Sequence, residues 1–286
     1  MTKIISDTSI LYDLKQAEKE NITVIPLQIS INHQTYHEFE DIQSEDLLKM
    51  IQEGHLPTSS QPTIGRVLET YEKYQNTPIL NITMADGLSG TYQSACMAKE
   101  QSDGDITVLN SKTLCGPHRY LVQKANALAA EGKTVEEIIE ALKPSMDHSI
   151  SYLIPQDFDY LKRGGRCSKA AASVGGLLKL VAVMKLSEDG TILEKGVIAR
   201  TYKKALQGIL NELCTAGVDD SYKLYISHAK SNRLQETLDF FKDNLPQVET
   251  EVLDLSCAFI TQGGPGCVAI QVIKKWGCNE IEKFRR

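Results

Sequence analysis

The run Ile79-Leu80-Asn81-Ile82-Thr83-Met84 leads through Ala85-Asp86-Gly87 into Leu88-Ser89-Gly90-Thr91-Tyr92-Gln93-Ser94-Ala95. An apolar strand ends in small, hydroxyl-bearing residues and passes directly into a helix. Such a junction points the first-turn N–H groups and the positive end of the helix dipole into one small volume. Ser89 and Thr91 add hydroxyl donors to it. Open α/β sheets bind ligands at the carboxyl ends of their strands, so the stretch reads as a cradle for an anion or an oxyanion.

Outward from this stretch, the first half of the chain alternates strands and helices. Strands are expected at Lys3–Ser6, Thr23–Ile29, 79–84 and Ile106–Leu109. Helices are expected from Asp7-Thr8-Ser9 to about Glu20, at Ser44–Glu53, Arg66–Lys73, Thr91–Glu100, Tyr120–Glu131 and Val135–Lys143. This alternation specifies an α/β architecture with a mostly parallel sheet and helices on both faces. The second half has another rhythm. Ser151–Ile154 is a strand, 158–176 is helical or irregular, and Ser187-Glu188-Asp189-Gly190 is a hairpin turn between Leu180–Leu186 and Thr191–Ala199. A helix at 202–215, a strand at Leu224–Ser227, a helix at 231–243, and strands at 248–253 and Cys267–Val272 complete an α+β region with a mixed sheet. Two domains are expected, an N-terminal α/β domain over 1–150 and a C-terminal α+β domain over 151–286.

Composition narrows the function classes. The 286 residues are 42% hydrophobic and 24% charged, ordinary for a globular chain. A net charge of −6 argues against nucleic acid as a partner, because phosphate contacts need clustered positive charge. No apolar run reaches the roughly 18–20 residues that span a bilayer, so stable membrane insertion is not expected. Met1-Thr2-Lys3-Ile4-Ile5-Ser6-Asp7 lacks a secretory pattern. The seven cysteines (96, 115, 167, 214, 257, 267, 278) show no C-x-x-C pairing, which supports neither zinc nor a disulfide framework. Scattered thiols fit a reducing compartment, and a cytoplasmic location is expected, with no cofactor and no metal.

Other segments admit two readings each. Pro57-Thr58-Ser59-Ser60-Gln61-Pro62-Thr63 is a solvated capping loop or a second set of hydroxyl donors beside Ser89. Leu161-Lys162-Arg163-Gly164-Gly165-Arg166 is a solvated cationic face or a contact for phosphate or a partner, with arginine suited to clamping a phosphate. Thr261-Gln262-Gly263-Gly264-Pro265-Gly266 is a plain tight turn or a set of exposed N–H donors. His33 and His37 lie in a loop and hairpin rather than on one helical face, which disfavours zinc. Neither a nucleophile elbow nor a P-loop occurs.

Together these residues resemble the DegV family, whose members include the fatty-acid-binding subunits of bacterial fatty acid kinase. The resemblance covers nearly the whole chain. It runs through Asp7-Thr8-Ser9, Ile25-Pro26-Leu27, Ser60-Gln61-Pro62 of the family's T-S-Q-P loop, and Ser89-Gly90-Thr91-Tyr92-Gln93-Ser94-Ala95. It continues in Ser111-Lys112-Thr113, Tyr160-Leu161-Lys162-Arg163-Gly164-Gly165-Arg166 and Gly264-Pro265-Gly266. It implies a two-domain protein that holds one long-chain fatty acid in an apolar tunnel and is not itself an enzyme. Carried over by position, Ser59 and Ser89 hold the carboxylate, with Ser60, Gly90, Thr91, Gln262 and Gly263 around it. Arg166, with Lys162 and Arg163, is implied to contact a fatty acid kinase partner. Ser59 replaces the family's usual threonine, Gln262 stands where many members have histidine, and Val181-Ala182 replaces a common Lys-Pro pair. The competing class is a small-molecule kinase subunit of the dihydroxyacetone-kinase type. It needs a polar pocket and a histidine that reaches the substrate, for which His228 is the candidate. A serine acyl hydrolase using Ser89 is a third reading.

Overall fold

The computed structural model describes residues 1–172 and 180–276. Four parallel strands, β1 (Lys3–Asp7), β2 (Thr23–Ile25), β6 (Ile79–Thr83) and β7 (Ile106–Asn110), form a sheet in the order β2-β1-β6-β7. Alternate residues feed opposite faces, as strand geometry requires. Ile5 and Ile79 join Val67, Tyr71 and Ala95 under α3 (Ile64–Glu72) and α4 (Thr91–Glu100). Ile4, Leu80 and Ile82 pack on the other face toward α1 (Leu14–Lys19) and α5 (Cys115–Ala130).

A small antiparallel sheet adds β3 (Gln28–Ile31), β4 (Gln34–His37) and β5 (Thr58–Ser60), with β3 central. Helix α2 (Ser44–Gln52) lies between β4 and β5 in the chain. The mixed sheet comprises β8 (Ser149–Ile154), β9 (Val181–Leu186), β10 (Leu193–Ala199), β11 (Tyr222–His228), β12 (Glu249–Asp254) and β13 (Val268–Lys274) in the order β10-β9-β8-β13-β11-β12. Its outer face packs against α9 (Tyr202–Thr215) and α10 (Leu234–Asn244) through Ile154, Leu224, Ile226, Ile270 and Val272. Its inner face meets α5 and α6 (Val135–Asp147), so α5 lies between the two large sheets. Glycine at 116 permits this approach, since a Cβ there would stand 2.1 Å from Tyr225 Cγ. The short helices α7 (Phe158–Gly164), α8 (Lys169–Ala172) and α11 (Cys257–Gly263) complete the described chain. No helix among the described residues is long and apolar enough to cross a membrane.

The expected α/β half with a parallel sheet and the mixed-sheet half are both present, with local differences. The helix expected from Asp7 to Glu20 begins as a 3-10 turn, Thr8–Ile10, broken by Leu11 at φ 62°; α1 starts only at Leu14. The strand expected over Thr23–Ile29 divides at Pro26, which has no N–H to donate, and its two halves enter different sheets. The helix expected from Tyr120 begins five residues earlier, at Cys115. The segment expected as helical or irregular over 158–176 forms α7 and α8 up to Ala172; its remainder, 173–176 with the second Gly-Gly pair, lies outside the described residues, as does Cys278. The expected domain boundary near 145–155 falls where α6 passes into β8.

Polar ties join the layers at the carboxyl end of β1. Asp7 accepts the N–H groups of Ser9 (3.0 Å) and Met84 (3.0 Å). His118 of α5 donates from Nε2 to the Ile82 carbonyl at 3.1 Å, which leaves Nδ1 to accept from Ser9 Oγ at 2.8 Å. Burial lowers the His118 pKa and favours the neutral ring. Glu38 is fully buried; it accepts the Ala258 N–H at 2.7 Å and the Thr8 hydroxyl at 2.5 Å. Burial dominates and lifts its pKa from 4.5 to about 7, with the Asp7 charge adding to the rise.

The folded chain therefore keeps a proton on Glu38 that the unfolded chain releases from about pH 4.5 upward. Stability from this group is complete below that pH and is lost as pH rises through about 7, by roughly 3 kcal/mol. Urea unfolding at pH 5 and pH 8 measures the difference. Glu38→Gln is expected to remove most of it, and equal losses in both proteins would exclude Glu38 as its source.

Candidate functional site

The site forms where β6 hands over to α4. Strand β6 is buried along its length, and the chain leaves it through a turn in which Leu88 N–H bonds the Ala85 carbonyl at 3.1 Å. Gly90 occupies the N-cap of α4, so no side chain closes the first turn of the helix. Ser89 and Thr91 share a hydrogen bond of 2.8 Å between their hydroxyls, which aligns both at the helix start.

Strand β5 brings the 57–63 segment to the same place. Pairing with β3 sets Ser59 opposite Ile29 and Ser60 opposite Gln28, so the segment is part sheet rather than free loop. Gln61 lies against Gly90, where a Cβ would stand 3.0 Å from its Cδ. Proximity that sequence spacing leaves open is thus supplied by an antiparallel register. From the other half, α11 presents Gln262, whose Nε2 donates to Ser59 Oγ at 3.0 Å. The Ser59 hydroxyl keeps its own proton to donate. Gln262 Oε1 is buried with no partner. Gly164 packs beside it so closely that a Cβ would lie 1.9 Å from that oxygen.

Ser59, Ser60, Ser89, Gln262 and Gly263 all line one cavity, with about 870 Å³ of empty space including its open mouth. Gly90 and Thr91 form the adjoining helix start and are not among the lining residues. Arg166 lines the cavity as well; its Nε donates to the Leu88 carbonyl at 3.2 Å, and its guanidinium also bonds the Gly164 carbonyl. Lys162 and Arg163 do not line it. Lys162 pairs with Asp159 at 3.3 Å, and the Arg163 guanidinium lies over the Tyr160 ring at 4.4 Å.

Much of the remaining wall is apolar: Leu27, Met84, Leu88, Leu114, Leu153, Leu193, Leu255, Ala258, Phe259 and Ala269. Sequence reading does not mark these positions as a site. The available signal is strand alternation: Leu153 on β8 and Ala269 on β13 belong to the face turned from the α9 core, and Leu153 also packs toward Leu161 of α7 and lies beside Gly263 of α11. Cys115 lines the cavity too, and burial raises its thiol pKa well above the ordinary range, which disfavours the thiolate. His228 ends β11, 3.6 Å from Asp254, and does not line the cavity. Among the described residues, no group of three or more His, Cys, Asp and Glu side chains could hold a metal ion.

The arrangement is a hydroxyl-rich helix start and one guanidinium at one part of an apolar cavity. It suits a molecule with a compact anionic head and a hydrocarbon body. A family model described as "Uncharacterised protein, DegV family" matches residues 1–275. A DegV domain-containing protein of Listeria innocua is 36% identical over 213 residues, 73% of this chain and 76% of the relative. The structure of DegV from Bacillus subtilis, described as a fatty acid binding protein, is 27% identical with a TM-score of 0.82, covering 96% of this chain and 99% of that one. A Thermus thermophilus DegV family protein, whose structure is described by its fatty acid binding, shares the fold at 24% identity and a TM-score of 0.86, with coverage of 96% and 99%. With the family match spanning all three sheets, this chain belongs to the DegV family.

Proposed function

We propose that this chain is a binding protein for one long-chain fatty acid, with the carboxylate on the Ser59 and Ser89 hydroxyls and the tail in the apolar cavity. The observation that carries the reading is that Ser59 and Ser89, from separate elements, line one cavity whose other walls are mostly hydrocarbon. Each buried CH₂ group contributes about 0.8 kcal/mol, so the tail supplies most of the affinity. The head group loses water on entry, a cost that hydroxyl donors and the α4 terminus offset. The structure of DegV from Bacillus subtilis is described as that of a fatty acid binding protein, which supports a fatty acid as the ligand class. The dihydroxyacetone-kinase alternative calls for a polar pocket reached by His228, and His228 lies outside the cavity lining.

Lipid extracted from the purified, denatured protein is expected to contain about one long-chain fatty acid per chain by mass spectrometry. Preparations that are lipid-free and also fail to bind added fatty acid would overturn the reading. Ser89→Ala and Ser59→Ala are each expected to weaken binding roughly ten- to a hundred-fold, the loss of one charge-assisted hydrogen bond. Their effects should be non-additive, since both donors serve one anion. Full-strength binding by Ser89→Ala would place the carboxylate elsewhere.

We further propose that the cationic segment presents the bound acid to a fatty acid kinase. Arg166, inside the cavity wall, meets the head group; Lys162 and Arg163, outside it, face the partner. Arg166→Ala should weaken binding itself, on the order of ten-fold. The double substitution Lys162→Ala with Arg163→Ala should spare binding and depress ATP-dependent acyl phosphate formation by a fatty acid kinase. Undiminished acyl phosphate formation by that variant would remove the segment from the docking surface.

A further inference from the structure

The mixed sheet contributes a polar group to the cavity that the carboxylate site does not use. Gln271 lies midway along β13, flanked in sequence by Ile270 and Val272 of the outer core, and is 2% exposed. Its Nε2 donates to the Leu114 carbonyl at 3.0 Å and to Ser151 Oγ at 2.9 Å. A carbonyl only accepts, so the Leu114 contact sets which way round the amide stands. Gln271 Oε1 is then left buried with no hydrogen-bond partner. Ser151, opposite Gln271 in the β8–β13 register, accepts from the amide and retains its own proton.

Both side chains line the cavity, among Leu114, Leu153 and Ala269. An unpaired buried carbonyl is unfavourable, and an apolar residue at 271 would avoid it. A saturated hydrocarbon tail leaves the orphan in place. An acceptor beside a donor complements a group that both donates and accepts, and the smallest such group on a hydrocarbon chain is a hydroxyl.

We propose that the cavity selects an acyl chain bearing a hydroxyl group, whose O–H donates to Gln271 Oε1 while its oxygen accepts from Ser151. This rests on the fatty-acid reading above and narrows its ligand to hydroxylated long-chain acids. The carboxylate site is built from β5, the β6–α4 turn and α11, whereas this pair stands on β8 and β13. The hydroxyl is therefore expected along the chain and away from the carboxyl carbon. A site built to bond a substrate hydroxyl discriminates against the analogue that lacks it.

The test is a displacement titration on the purified, delipidated protein with a fluorescent fatty acid as reporter. The competitors are stearic acid, its positional hydroxy isomers and their O-methyl ethers, which keep the oxygen and cannot donate. One position, or two adjacent ones, should bind about ten-fold more tightly than stearic acid and than its own ether, equivalent to about 1.4 kcal/mol. Gln271→Met should bring the ratio of hydroxy acid to parent acid to about one. Stearic acid bound tightly with no hydroxy isomer preferred over its ether overturns this inference and leaves the fatty-acid reading standing; a water then serves Gln271. Failure of every acid to bind overturns both. The ligand series on the unsubstituted protein decides the matter even if Gln271→Met does not fold.

Discussion

Burying Glu38 between the N-terminal strands and helix α11 is the constraint on which the site depends. Its carboxyl group reaches the Thr8 hydroxyl on one side and the Ala258 N–H on the other, and Thr8 Oγ1 in turn accepts the Leu27 N–H at 3.0 Å. Leu27 and Ala258 are both cavity residues. Burial is the largest influence on this carboxyl and favours its neutral form, while the hydrogen bonds from Thr8 and Ala258 partly offset that by favouring the charged one. The cavity wall is thus tied from behind by directional bonds. Arg119 makes a comparable tie through α5, donating to the Ile10 carbonyl at 2.8 Å and to Glu251 of β12 at 3.4 Å.

Helix α5 lies between the two large sheets, and the cavity adjoins its N-terminal end. Leu114 and Cys115, at the start of that helix, line the space directly. Polar groups reach the cavity from different quarters: hydroxyls from β5 and the β6–α4 turn, the Gln262 amide from α11, and the Gln271 amide from the mixed sheet. The rest is largely hydrocarbon. This separation lets apolar burial provide affinity while a few fixed donors and acceptors orient the ligand.

Several parts of this organisation are legible in the chain itself. The strand-to-helix passage at 79–95 produces β6, an uncapped α4 terminus and two aligned hydroxyls from local chemistry alone. The Asp-Gly turn at 189–190 places Gly190 at φ 74° between β9 and β10. Pro26 is a local signal too; its consequence, a change of sheet, is not, because a missing N–H ends one ladder without saying which ladder comes next. The start of α5 at Cys115 is equally hard to read, since Gly116 is a poor helix former that is held in place by close packing on Tyr225.

Hydrophobic period and turn chemistry act over a few neighbouring residues, and they mark out the parallel-sheet half, the mixed-sheet half and the hydroxyl-rich segments. Which segments share a site was decided only in three dimensions. Ser59 and Gln262 are 203 positions apart and bond at 3.0 Å because β5 takes its register from β3 and α11 packs against both. Arg166 entered the cavity while Lys162 and Arg163 stayed outside, although all three belong to one cationic run. Gln271 was a polar residue within an apolar run until the sheet set it beside Ser151 and the fold left its oxygen without a partner. Long-range pairing depends on the joint packing of whole elements, and no local stretch of sequence carries that information.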